Sequence, residues 1–595
     1  MSASLNGSET VQWDLSDLYN DYQDPAVTKD LDQTLADAKS FKDRYHGHVS
    51  ELDAPGLLGA VIEIERMSAS IARIGAYSYL VFSTDAADPA RGAFLQKVRE
   101  QATVFSTELL FFRLEWMTID EDRAASLVAD PSLATYRHYL ESARRYKPFV
   151  LSEAEEKLLT EKSVSGSGAW SRLFTELTTA FTVSIEGEKT TMEAALAKLQ
   201  GPDREVRRVT AESITATLDE DIRTRAFVFN TLLLDKSTDD RLRGYPDWIS
   251  ARNLGNEASD ESVQVLIDSV VSRYDISHRF YALKARLLGL DRIADYDRFA
   301  PVTKDSTSST WQEASSLVRG AYEEFSPIAG QIIGEFFDKE WIDAAATSSK
   351  VPGAYCMTLV PERHPYVMMS FTGDRRSVLV LAHELGHGLH GYLAGHQGML
   401  NAASPLTLSE TASVFGEALT FGKLLAAETD PTKRLALLNG RLEDAVATVF
   451  RQIGINRFED SCHRARRAEG EISVESFNTM WAEAQKAVLG DSVEITDGYR
   501  KWWSYIPHFI ASPGYVYAYA YGYLFSLAIY QKYVLEGESM VEPYLDLLRA
   551  GGSDSPERLA KIVGIDLSDP EFWAGGLQSI DALLAEAEKL AAELA

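Results

Sequence analysis

The chain is expected to be mainly α-helical and divided into two lobes, and three observations lead there. At 595 residues it is longer than one hydrophobic core normally serves, because cores stop growing beyond roughly 250–300 residues. From residue 26 to 160, and again from 200 to 345, apolar residues recur at three- and four-residue steps, the helical period. Strand-like runs are brief, near 181–190 and 353–371.

In order along the chain, the opening residues Met1 to Ser8 hold no basic segment followed by an apolar run, so no secretory signal is expected. Leu31, Leu35, Ala38, Phe41 and Tyr45 mark one amphipathic helix. Ile64, Met67, Ile71, Ile74 and Tyr77 mark another, closed by Asp88-Pro89. Ser163 to Gly168 reads as a flexible connection and Phe181 to Thr190 as a small hairpin. A lobe boundary is placed near 195, giving an N-terminal helical lobe, 1–195, and a catalytic lobe, 196–595. Helices then resume with Arg252 and Trp311 on exposed-looking faces.

Before residue 375 the period changes. Gly353 to Val360 and Pro365 to Phe371 read as two short strands around the turn Pro361-Glu-Arg-His. The edge of such a sheet, beginning at Gly353 and Ala354, could pair with an extended peptide through main-chain bonds; a purely structural hairpin is the alternative. The period of Val378, Leu379, Leu381, Leu385 and Leu389 is then helical, placing His383 and His387 one turn apart on one face. Two imidazoles at that spacing suit one Zn²⁺, with Glu384 as general base toward a water. Burying two imidazoles and a carboxylate in so apolar a segment is costly unless something binds them. Gly386 and Gly388 each weaken a helix by roughly 1 kcal/mol relative to alanine, which suggests that another backbone comes close.

A catalytic zinc site needs a third protein ligand. His390 shares the helix face but lies a further turn along. The run Leu408 to Leu419 reads as the next helix, with Glu410 and Glu417 two turns apart. Glu410, set among Leu408, Ala412, Val414 and Phe415, is the favoured ligand, with Glu417 behind a histidine. Glu417 and His390 are next in line as ligands. Farther on, His508 precedes Ala511-Ser-Pro-Gly514 and five alternating tyrosines, 515 to 523. The alternation resembles a strand, but Leu524, Phe525, Leu527, Ala528 and Tyr530 continue it at helical spacing. On a helix Tyr515, Tyr519 and Tyr523 share one face, Tyr517 and Tyr521 another; aromatic core packing is the alternative use. Asp581 to Ala595 reads as a closing helix.

His383-Glu-Leu-Gly-His387 with Glu410-Thr-Ala-Ser resembles the oligoendopeptidase F family, a bacterial branch of the thimet-oligopeptidase-like zinc metallopeptidases. Trp13-Asp-Leu-Ser-Asp-Leu-Tyr19, Arg241-Leu-Arg-Gly-Tyr245, Gly353-Ala-Tyr-Cys356 and Gly564-Ile-Asp566 extend the resemblance over nearly the whole chain. It implies two helical lobes around a deep substrate channel, a small sheet beside the zinc helix, and one Zn²⁺ per chain on His383, His387 and Glu410. It further implies that His508 and Tyr515 stabilise the oxyanion and that Tyr519 and Tyr523 bind substrate. Which tyrosines of 515–523 face the metal is left open. The activity implied is hydrolysis of internal bonds in short unfolded peptides.

A formal charge of −29 argues against nucleic acid as a partner. No window approaches about eighteen consecutive apolar residues, so no membrane span is expected. Two cysteines, Cys356 and Cys462, give no disulfide framework and fit a reducing cytoplasm. Two rivals stand beside the endopeptidase. A zinc carboxypeptidase would need a cation near the metal, for which Arg363, Arg375 and Arg376 are available. A non-catalytic peptide-binding protein would have no use for Glu384. Oligomeric state and residue preference are not read from the sequence.

Overall fold

The computed structural model describes residues 6–302, 308–347, 349–360 and 363–594. Helices joined by short turns dominate it, with three small sheets among the described residues, as the helical periodicity leads one to expect. Many helices open on an aspartate whose side chain accepts from the first-turn backbone, followed by proline: Asp24-Pro25, Asp88-Pro89, Asp130-Pro131 and Asp430-Pro431. Aspartate satisfies the orphan amides there and proline supplies a pre-set φ where no amide is needed. For that reason Asp88-Pro89 opens the helix Pro89–Thr118; the helix before it, Ala54–Thr84, has already ended. The residues 163–168 are a tight link between the helices Glu153–Ser163 and Ser167–Thr179. No described helix is long and apolar enough to cross a membrane.

The chain forms two compact units, each discontinuous in sequence. One comprises Met1–Lys147, Ser306–Ala426 and Ile529–Asp566; the other comprises Pro148–Asp305, Ala427–Ala528 and Leu567–Ala595. The units therefore do not part at 195. Residues 148–195 bury Phe174, Val183 and Ile185 in one core with Phe229, Phe477, Trp503 and Phe509 of the second unit, and burial outweighs chain order. In the first unit the helices Pro25–Tyr45, Ala54–Thr84 and Pro89–Thr118 enclose Phe41, Leu57, Phe112 and Trp116. The hairpin Thr182–Ile185 with Glu188–Thr191 turns on Glu186 (φ 52°) and Gly187 (φ 90°), two successive left-handed residues as a two-residue hairpin turn requires.

Within the first unit, strand Tyr366–Met368 lies between Ile342–Asp343, to which it is parallel, and Tyr355–Met357, to which it is antiparallel. Tyr355–Met357 is thus an edge strand. The expected turn includes Pro361 and Glu362, which lie outside the described residues. The Trp13–Tyr19 motif braces this sheet: Tyr366 donates its hydroxyl to Asp17 (2.5 Å) and Trp13 meets the Tyr366 ring edge-on at 5.9 Å. Trp311 is half-buried, edge-on to Phe371 at 5.2 Å, not on an open face.

Candidate metal centre

The helix Arg375–Ala394 is opened by Asp374, which accepts from the Ser377 amide at 2.7 Å. Leu381, Leu385 and Leu389 bury one stripe of it. His383 and His387 come out one turn apart, ring centroids 4.9 Å from each other. The chain beyond is not one helix from Leu408 to Leu419. A single turn, Leu406–Ser409, gives way at Glu410 (φ −86°, ψ 2°), and helix resumes over Ser413–Ala427. Hydroxyls bond backbone carbonyls at the break: Thr411 Oγ1 donates to the Leu408 carbonyl at 2.7 Å and Ser413 Oγ to the Glu410 carbonyl at 3.2 Å, while Ser413 Oγ also lies 2.6 Å from Glu410 Oε2. Such side-chain bonds compete with the helical ladder.

Glycines let these segments cross closely. A Cβ on Gly386 would collide with the Ala412 carbonyl and lie 2.6 Å from the Ser413 Cα; one on Gly416 would collide with the Tyr322 hydroxyl and lie 2.9 Å from the Ala382 carbonyl. Gly386 thus meets backbone as its cost foretold, whereas Gly388 meets a side chain, the Phe336 ring at 2.6 Å. Tyr322 also donates to the Ala382 carbonyl at 2.8 Å, one residue before His383.

That crossing brings Glu410 Oε2 to 3.4 Å from His383 Nε2 and 3.5 Å from His387 Nε2. Donors on a tetrahedron with bonds of about 2.0–2.1 Å stand about 3.3–3.4 Å apart, so these residues fit Zn²⁺. They are the only such cluster among the described residues, with all ligand atoms within 4.8 Å. Glu417 Oε1 accepts from His383 Nδ1 at 2.6 Å, leaving Nε2 free to ligate. His390 belongs elsewhere: it is buried, its Nε2 sharing a hydrogen bond of 3.1 Å with Ser404 Oγ.

The electrostatics belong to a site prepared for a cation. Burial pulls His383 down, but its bond to Glu417 and the charges of Glu417, Glu410 and Glu384 outweigh that and raise it to about 9. A bound cation would replace that proton. Burial pushes His387 the other way, to about 4. Glu384, 6% exposed, is raised to about 7, chiefly by burial, against the opposing charge of His383 and a hydrogen bond from the Cys356 amide. In the register Tyr355↔Met368 and Cys356↔Val367, the Val367 amide serves the Trp341 carbonyl, so Cys356 directs its own amide off the sheet edge, where Glu384 takes it. A backbone donor of this kind leaves no mark in the side-chain pattern, and sequence reasoning missed it.

The other candidates fall in two places. Gly353 (φ 96°) and Ala354 lead into the edge strand, with open space around the Gly353 Cα. His508, Tyr515 and Tyr519 form a cluster in the second unit: His508 Nε2 lies 3.3 Å from the Tyr519 hydroxyl, and the Tyr515 ring is 6.0 Å from His508 and 5.2 Å from Tyr519. Tyr517, Tyr519, Tyr521 and Tyr523 ride a helix, Tyr517–Glu536, as the longer pattern predicts, but Tyr515 stands before that helix begins and so does not share a helical face with Tyr519 and Tyr523. Tyr517 and Tyr521 are core: Asn256 donates to the Tyr517 hydroxyl at 2.9 Å, and Tyr521 packs on Trp573 at 4.8 Å. Tyr523 is also buried, beneath Arg441 at 5.3 Å. Burial and the Arg451 charge lower His508.

The model of peptidase family M3 matches residues 197–579, and that of oligopeptidase F matches 115–182. Oligopeptidase PepF of Bacillus subtilis is 27% identical over 97% of this chain and 87% of its own length. Group B oligopeptidase PepB of Streptococcus agalactiae is 25% identical over 98% of both chains. Among solved structures, a candidate peptidase from Chlamydophila abortus superposes with TM-score 0.87 at 24% identity, covering 97% of this chain and 98% of its own. Oligoendopeptidase-F from Enterococcus faecium gives 0.71 at 22% identity, covering 95% and 97%. These structures share the fold.

Proposed function

The chain belongs to peptidase family M3 and is a metallopeptidase that cleaves peptides, and from that premise we propose that it is a zinc-dependent oligoendopeptidase hydrolysing internal bonds of short unfolded peptides. The observation that carries this reading is the donor triangle of His383, His387 and Glu410 with Glu384 beside it. Zn²⁺, one per chain on those three side chains, supplies Lewis-acid chemistry when bound. Glu384 takes a proton from the attacking water and delivers it to the departing amine. Glu417 holds His383 in the tautomer that presents Nε2. The edge strand, entered through Gly353 and Ala354, aligns an extended substrate by main-chain bonds. His508 and Tyr515 donate to the oxyanion, and Tyr519, bonded to His508, orients it. Short peptides are the partners, nucleic acid and membranes are not, and the cytoplasm is the place of action.

The carboxypeptidase reading has lost one of its arginines, since Arg363 is directed at Asp17, 3.5 Å away. Mass spectrometry of fragments from a peptide library, with and without chelator, tests the proposal. Internal cuts are expected, equal for free and amidated C-termini, abolished by chelation and restored by Zn²⁺. Loss of a single C-terminal residue at a time, or full activity without metal, would refute it.

A further inference from the structure

Arg252, on an exposed-looking helix in the sequence, and Glu459, which no motif singles out, meet at one peptide bond. Arg252 Nε donates to the Pro513 carbonyl at 3.1 Å, and Glu459 Oε1 accepts from the Gly514 amide at 2.9 Å. That carbonyl and that amide are the two polar ends of a single planar unit, so the plane is gripped from both sides. Gly514 (φ 71°) is itself enclosed: a Cβ would stand 3.4 Å from Arg252 Cβ, Ile249 Cγ1 and Trp248 Cζ3. The next residue is Tyr515, whose ring lies under the Arg252 guanidinium at 6.0 Å.

The grip is an expensive arrangement. Glu459 is 1% exposed, and among the described residues neither its second oxygen nor either ring nitrogen of neighbouring His463, which stacks 4.1 Å from Trp248 and brings its Nε2 to 3.9 Å from Glu459 Oε1, has a hydrogen-bond partner. Burial raises the Glu459 carboxyl to about 8. A buried carboxyl half-satisfied beside a buried imidazole is destabilising. Residues kept at such a cost are drawn to functional sites, and here the group served is one turn of backbone.

We propose that Arg252 and Glu459 are positioning residues that lock the Pro513–Gly514 peptide plane and thereby hold Tyr515 in the orientation needed for turnover. Rotation of that plane changes φ of Gly514, and the direction in which the chain delivers Tyr515 changes with it. This rests on the reading of Tyr515 as an oxyanion donor, so the test separates the two.

Hydrogen–deuterium exchange of the segment 509–518 is measured in the zinc-loaded protein without peptide, for Arg252→Met and for Glu459→Leu, which keep bulk and remove one partner each. Exchange at Gly514 is expected to rise about tenfold or more, kcat to fall about tenfold, and KM and zinc content to stay unchanged. Glu459→Gln, which keeps an acceptor oxygen, should recover much of what Glu459→Leu loses, and Arg252→Met in a Tyr515→Phe background should cost little further. If Glu459→Leu does not fold, the partly exposed Arg252 still decides the matter. Unchanged exchange overturns the lock. Faster exchange with unchanged kcat, or losses that add fully to those of Tyr515→Phe, overturns its link to Tyr515. Full turnover by Tyr515→Phe alone overturns the reading of that tyrosine, and with it the catalytic link, while exchange still reports on the lock.

Discussion

Glu384 and Glu410 are carboxylates at one site whose surroundings divide the labour. Glu384 is buried and takes an amide from Cys356, whereas Glu410 reaches both imidazole Nε2 atoms. Glu384→Gln should therefore keep zinc, by metal analysis, and lower kcat about 10²–10⁴-fold, the range typical of a lost general base. Glu410→Ala should lose the metal. Glu417→Ala, which strips His383 of its Nδ1 partner, should weaken zinc binding about 10–100-fold without abolishing it. Retention of full zinc affinity by Glu410→Ala would remove it from the ligand set. The histidine spacing and the third carboxylate were legible in side chains alone, because metal ligation demands particular residue types. Tyr523 shows the limit of that legibility. It shares a helical face with Tyr519, yet it is buried under Arg441, and only packing reveals how far a face stays open.

At the scale of elements, the metal site depends on how closely two segments cross. Gly386 meets the Ala412–Ser413 backbone and Gly416 meets the Ala382 carbonyl, so each segment offers the other a side without a Cβ. Gly386→Ala should force them apart, costing about 1–3 kcal/mol as overpacking does. Unlike a remote core defect, it should also weaken zinc binding, because Glu410 lies two residues from the contact. Calorimetry and zinc titration check both effects; a loss of stability with unchanged zinc affinity would show that the crossing does not set the ligand triangle. Here the sequence was half legible. Two glycines in an amphipathic helix announce a close approach, but the break at Glu410 coincides with hydroxyl bonds from Thr411 and Ser413 to backbone carbonyls. Local propensity does not distinguish those from ordinary helical serine and threonine. The tyrosine run from Tyr517 reads as helix because the pattern continues past residue 523, whereas nothing in that pattern marks Tyr515 as standing before the helix begins.

At the scale of the whole molecule, helical class follows from periodicity, but the division into units does not, since residues 148–195 join a core supplied by chain some 300 positions later, including Phe477 and Trp503. Composition shifts mark linkers, whereas units are defined by which apolar faces find one another. Substrate size is the property that belongs to this scale. The strand Tyr355–Met357 has one paired side, and the chain enters its open edge through Gly353 and Ala354. A peptide aligned on that edge must be extended, with its own backbone groups unpaired. Folded proteins have those groups occupied already, and dipeptides are too short to use more than a fraction of the edge. Contacts remote from the cut bond contribute to turnover when they orient the reacting centre. Peptides of about five to fifteen residues should accordingly be cleaved internally, with kcat rising with length and not only KM falling. Dipeptides should turn over slowly, and a stable folded protein should survive until it is unfolded by denaturant and returned to dilute buffer. Time courses over a nested peptide series, read by mass spectrometry, check this. Equal kcat for a tripeptide and a decapeptide, or efficient cleavage of the folded protein, would show that edge alignment does not govern the reaction.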